Sequence, residues 1–246
     1  MSKKVRIDPI DLPWYVVTWH YTKALIGAFV VFLVLRFFWG DDMLVNFDQL
    51  TEKGFVPAGL GKVWFIFVWA LAVPLVVVLV FRRRSVSDHP REAQVGRGLW
   101  LSLNAGVFEE LIYRWLIFVN AMVLLRFFNF ITFGFVKFFY THALIPLADF
   151  TTFHALHPYL LHDGSWVFGA AIVSAAARFR SEHAYLGFLG WVNSWFMGML
   201  LFYLMFNYGL ATAIVAHFLY DAIIFTFRGL TSEKPQYRFR IRMSYN

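Results

Sequence analysis

Between Lys62 and Arg82 the chain reads "VWFIFVWALAVPLVVVLVF", without one charged side chain. Such a run matches the roughly 20 apolar residues a helix needs to cross a bilayer core. Further apolar runs lie at about 24–39, 99–125, 165–179, 185–207 and 209–227. They are far longer than strands and show no period-2 alternation, so they predict spanning helices and not a barrel. Composition agrees: 60% of the 246 residues are hydrophobic, 21% aromatic and only 15% charged, too little polar surface for a soluble domain of this size.

Charge distributes the spans across the membrane. The first, 24–39 ("ALIGAFVVFLVLRFFW"), leaves Arg36 able to reach an interface. The acidic, Gly- and Pro-containing stretch 40–62 reads as an outside loop, whereas the arginines at 82, 83, 84, 91 and 97 place the next loop in the cytoplasm. The tail, with Arg228, Lys234, Arg238, Arg240 and Arg242, is also expected in the cytoplasm. A basic N-terminus on the same side requires an even number of spans. The aromatic, Pro-interrupted stretch 127–165 reads as a short hairpin in the membrane or an interfacial segment outside it. The expected fold is therefore an all-α polytopic transmembrane bundle of six to eight spans, one domain over 1–246. No cleavage site follows the polar N-terminal stretch, so the first span is expected to stay as an anchor.

The net charge of +7 gathers at chain ends and one loop, where membrane topology puts it, so no nucleic-acid partner is expected. The alternating "YRFRIR" of the tail reads as the same topology signal. Cysteine is absent, which excludes disulfides, thiolate metal sites and cysteine nucleophiles. No G-x-S motif lies in a span, and Ser102, Ser174 and Ser194 have no evident base, which disfavours serine-protease chemistry.

Against this background "NAGVFEELIYRWLIF" (104–118) stands out. An ionised group inside a membrane helix costs about 2.5–3.5 kcal/mol on insertion scales, so three need a reason. Glu110 and Arg114, at i and i+4 with the acid first, form a self-neutralising pair whose simplest role is a structural brace. Glu109, turned about 100° from Glu110 on a regular helix, must face something else in the bundle. "IVAHFLYDAII" supplies His217 and Asp221 on one face of the last span, and "RFRSEH" supplies His183 at a span end. A carboxylate and two imidazoles in a partly dry cavity can activate water by general-base catalysis. Taken singly, His217 is equally well read as a hydrogen-bonding residue between helices, and His183, at a span end, reads more simply as a loop residue.

"EELIYR" (Glu109 to Arg114), "FRSEH" (Phe179 to His183) and "HFLYD" (His217 to Asp221) resemble the three motifs of the CAAX protease and bacteriocin-processing (CPBP, or Abi) family: EExxxR, FxxxH and HxxxN or HxxxD. The resemblance covers about residues 95–227. It implies an intramembrane endopeptidase of the glutamic type. Glu109 and His183 would activate water, His217 with Asp221 would stabilise the oxyanion, and Glu110 and Arg114 would brace the helix. It implies a membrane-anchored protein or peptide as substrate (a CAAX tail, a leader or a C-terminal sorting tail) and an integral position in a bacterial inner membrane. No cofactor is expected; a zinc set of Glu109 and two histidines ranks below the metal-free mechanism. Two features depart from the family pattern. Asp221 stands where Asn is usual, so it must be protonated by burial or orient His217. The gap from Glu109 to His183 is also long. "FFYTH" (138–142) and "FTTFH" (150–154) fit the second motif as well; His142, His154, His157 and His162 read as interfacial or loop residues, with His154 the alternative to His183. Outside proteolysis, the same residues suit a non-enzymatic membrane scaffold, or a small carrier with Glu109 and His217 as a proton relay, although the inverted repeats of a carrier are not evident.

Overall fold

Helices account for every regular element among the residues that the computed structural model describes, 13–39, 52–79, 91–161 and 165–231. The arginines at 82 to 84, His162 and the basic tail beyond 231 lie outside them. Helix α1 (Trp14–Trp39) is followed by a short α2 (Pro57–Lys62) and by α3 (Trp64–Leu79). A continuous helical run starts as α4 (Arg91–Asn104), passes through π-helical turns at Ala105–Glu109 and Leu111–Ile117, and ends as α5 (Phe118–Ile131). The chain turns back at 132–134 into α6 (Phe135–Phe139), a π turn (Tyr140–Leu144) and α7 (Ile145–Thr151), then makes the single turn α8 (His157–Leu160). Helices α9 (Trp166–Glu182), α10 (Gly187–Tyr208) and α11 (Leu210–Thr231) complete the described chain.

Four helical stretches are long and apolar enough to cross a membrane: 14–38, 92–131, 184–208 and 210–231. The chain is accordingly a membrane protein. Two of the expected spans fall short of that measure. The apolar helix in α3 is shorter, and α9 has 17 residues. Helix α9 owes its burial to other helices: Ala170, Ala171, Ala175 and Ala176 are fully enclosed, and these small side chains let α5 and α10 pack against it. By contrast, α1 and α3 turn Phe37, Phe38, Trp64 and Leu79 outward, the apolar exterior that a lipid solvent requires.

The first helix begins at Trp14, ten residues ahead of the expected start at Ala24. Three of the polar side chains that made this segment look like a flank, Thr18, Tyr21 and Thr22, have hydrogen-bond partners within the helix or across the bundle. Thr18 and Thr22 bond carbonyls one turn back, at Trp14 and Thr18. The same Thr18 hydroxyl lies 3.1 Å from Asn104 Oδ1 of α4, so its one proton is shared between the two acceptors. Further along, Asn120 of α5 donates to the Ala28 carbonyl at 3.2 Å, tying α1 to the long run.

A seam of small residues fixes the contact that matters most for the site. Helices α4 and α11 pack along their length. A Cβ on Gly106 would lie 3.0 Å from the Ile214 carbonyl oxygen and from the Phe218 backbone nitrogen, and one on Gly98 would lie 2.6 Å from Phe225 Cβ. Only hydrogen at these positions lets the two backbones approach so closely. Ser102, one turn from each of them, is fully buried and returns its hydroxyl to the Gly98 carbonyl.

Candidate functional site

The π-helical turns carry the charged residues. Bonding from i to i+5 underwinds the helix and commonly marks functional positions. The regular 3.6-residue helix expected over 104–118 is therefore replaced, and both glutamates turn into the protein: Glu109 is 7% exposed and Glu110 is 0% exposed.

Glu110 sits between two cations or potential cations. Its Oε2 lies 3.1 Å from Arg114 Nε in an ion pair of completely buried side chains. Its Oε1 accepts a hydrogen bond from His217 Nδ1 at 2.8 Å. Glu110 thus does more than brace its own helix: it crosses from the π turns to α11 and sets the ring of His217. Arg114 is held further by Nη2 donating to the Gly198 carbonyl at 3.4 Å, and by Phe179 and Phe202, whose ring centres lie 4.4 and 5.5 Å from its guanidinium carbon. Such enclosure substitutes for the hydration a buried guanidinium loses.

Glu109 has different partners. Its Oε1 accepts from the Tyr21 hydroxyl at 2.7 Å, and its Oε2, buried and without a hydrogen bond, faces His183 Nε2 at 3.7 Å. His183 closes the C-terminus of α9. Its Nδ1 lies 2.8 Å from the Phe179 carbonyl oxygen. A carbonyl only accepts, so Nδ1 carries the proton, and in the neutral ring Nε2 presents a lone pair to Glu109. His217 Nε2 in turn faces Asp221 Oδ2 at 3.6 Å.

Phe179 packs the centre of this group. Its ring is T-shaped to Tyr113 at 5.3 Å, tilted against His183 at 4.4 Å and T-shaped to His217 at 5.9 Å. A Cβ on Gly198 would come within 3.3 Å of that ring, so glycine in α10 makes room for it.

The structure therefore gathers Glu109, Glu110, Arg114, His183, His217 and Asp221 from three separate parts of the chain: the π-helical run, the C-terminus of α9 and α11. The alternative second-motif histidines have other company. His142 bonds the Phe138 carbonyl and stacks on the Phe138 ring, while His154 and His157 both bond Asp149. A zinc set of Glu109, His183 and His217 is not drawn together. Among the described residues, the three-ligand group with donor atoms within 4.8 Å of one another is Asp149, His154 and His157. His217 is oriented by Glu110 on the π turns, and Asp221 lies beyond its other nitrogen.

Tyr21 is the site residue that sequence reasoning missed. The available signal was its spacing with Thr18 and Thr22, which puts three hydroxyls on one helical face of an otherwise apolar segment. No family model, no curated protein and no solved structure matches the chain.

Proposed function

We propose that this chain is an intramembrane endopeptidase that cleaves a membrane-anchored protein or peptide by Glu109- and His183-assisted attack of water. One observation carries the reading. Glu109 Oε2, buried and without a hydrogen bond, faces His183 Nε2 at 3.7 Å, and with the imidazole in its neutral form both atoms are acceptors that cannot satisfy each other. A group with two protons to donate fits such a pair, and water is the simplest one. Glu109 would take one proton as the water oxygen attacks the peptide carbonyl, while His183 holds the second and fixes the angle of approach. The abstracted proton would then pass to the leaving amine.

Charge developing on the carbonyl oxygen needs a donor, and His217 is placed for that role. With Nδ1–H given to Glu110, the ring offers a proton from Nε2 only as imidazolium, whose charge Glu110 and Asp221 would balance. Tyr21 would hold Glu109 in register as a positioning residue. Arg114 would supply the counter-charge to Glu110 in a dry site. These steps use no cofactor. In the same reading, the four long helices with α3 and α9 make six spans, leaving both termini on the cytoplasmic side of a bacterial inner membrane. The substrate would be a CAAX-type tail, a leader or a C-terminal sorting tail reaching the site from the lipid.

The test compares protein termini in membranes of cells carrying the wild-type chain and cells carrying Glu109→Gln at equal expression. New termini found only with the wild type support proteolysis and name the substrate. If the two sets of termini match and Glu109→Gln preserves the phenotype of the wild type, the glutamate is structural and the scaffold reading replaces this one.

A further inference from the structure

A second cluster of ionisable side chains lies on the segment that links α7 to α9, apart from the glutamates. Asp149, on the last turn of α7, is 6% exposed, and its Oδ1 is buried with no hydrogen-bond partner. Its Oδ2 receives two imidazoles: His154 Nδ1 at 2.7 Å and His157 Nδ1 at 3.0 Å. Both rings are largely exposed on their other side, with side-chain exposures of 67% and 55%.

The backbone is bent to produce this meeting. Phe153 and His154 both adopt left-handed conformations, with φ of 52° and 62°, in a region that non-glycine residues rarely enter. Firm packing holds them there. Ile145, Ala148, Leu156 and Leu160 are all within 1% of complete burial, so both flanks of the turn are anchored in the core. Thr151 accepts a bond from Trp195 Nε1 of α10 at 3.1 Å. Gly169 admits the end of α8 so closely that a Cβ there would stand 2.2 Å from the Leu160 carbonyl oxygen.

Two imidazoles and a carboxylate suit a borderline divalent ion, above all zinc. We infer that Asp149, His154 and His157 form a binding site for a divalent transition ion of the zinc class. The spacing fits: two ligands on one tetrahedral zinc stand about 3.3 Å apart, so the observed nitrogen–oxygen distances need to open by only a few tenths of an ångström. Each neutral ring shifts its proton to Nε2, on the exposed side, and leaves Nδ1 to the ion; no proton is gained or lost. The carboxylate presents Oδ2 at the point where the two Nδ1 atoms meet. Three protein ligands leave the remaining positions to solvent or to a donor from a bound molecule. The bound ion would close the 149–157 turn into a clip beside the long helices.

This site does not depend on the proposed proteolysis, and the experiment keeps the two apart. The full chain, without a polyhistidine tag and stripped of metal in detergent micelles, is titrated with Co²⁺ and followed by its visible absorption, then displaced with Zn²⁺. One equivalent should bind, and Glu109→Gln should bind it equally. The His154→Ala/His157→Ala double variant should bind at least about tenfold more weakly, since second-shell partners alone are worth about 10- to 100-fold. Asp149→Asn should weaken binding while its thermal unfolding in metal-free buffer shows the fold retained. Absence of a saturable equivalent overturns the inference. So does binding that survives the double variant, or that disappears with Glu109→Gln and so belongs to the other site.

Discussion

The hydroxyl of Tyr21 stands 2.7 Å from Oε1 of Glu109, although 88 positions separate the two residues in the chain. That bond fills one oxygen of the carboxylate and leaves the other to face His183. Tyr21→Phe removes the donor and little volume. A hydrogen bond to a charged group is worth about 1.5–3 kcal/mol, so turnover should fall roughly 10- to 100-fold with the fold intact. Turnover in vesicles, measured beside thermal unfolding, checks this; equal loss in both would make the tyrosine structural.

Glu109 and Glu110 are adjacent but should respond oppositely to the same substitution. Glu110→Gln leaves Arg114, 0% exposed, without its counter-charge. Breaking a buried pair in this way costs about 3–5 kcal/mol, which lowers a thermal midpoint by about 2–4 °C per kcal/mol in a chain of this size. Glu109→Gln keeps the Tyr21 contact and should unfold near the wild-type temperature while losing turnover. Unfolding curves of the two variants in one detergent decide it.

Gly106→Val should damage the site from a distance. Its Cβ would meet the Ile214 and Phe218 backbones at 3.0 Å, and a backbone cannot rotate away as a side chain can. The helices must part, at about 1–3 kcal/mol for overpacking, and the bond between His217 and Glu110 lengthens with them. A loss of turnover larger than the loss of stability is the expected signature. Gly96→Val, where a Cβ meets nothing within 4 Å, is the control.

Phe179→Ala should cost about 3–5 kcal/mol, the range for emptying a core aromatic position. The ring touches Arg114, His183, His217 and Tyr113, so activity should fall further than the same loss of stability produces elsewhere in the core. Phe118→Ala, which empties a site packed against Phe168 and Phe202, provides the comparison.

Much of this arrangement was legible in the sequence where spacing along one helix carries the information. Glu110 and Arg114 at i and i+4, and His217 and Asp221 at the same interval, could be paired on paper because helical periodicity is local. The reach from Glu110 to His217 could not, since it depends on how closely Gly98 and Gly106 let two helices approach. Nor could the underwound turns be read: π geometry follows from the packing around 105–117 and leaves no distinct residue pattern. Tyr21 was hidden because its segment looked like a polar flank. The meeting of Asp149 with two histidines was hidden for another reason, that it depends on a left-handed bend at Phe153 and His154, where no glycine marks the turn.

The shared carboxylate of Glu110 also bears on how the chain is made. His217 is synthesised 107 residues after Glu110, which at ordinary translation speeds is about 5 to 20 s later. During that interval a bare glutamate in the nascent bilayer helix would favour its retreat into water. Arg114 follows Glu110 within one turn and neutralises it on the same helix, so the pair can enter lipid as a unit before any partner exists. The arginine thus holds the charge of Glu110 on its own helix, independently of the histidine that is added last.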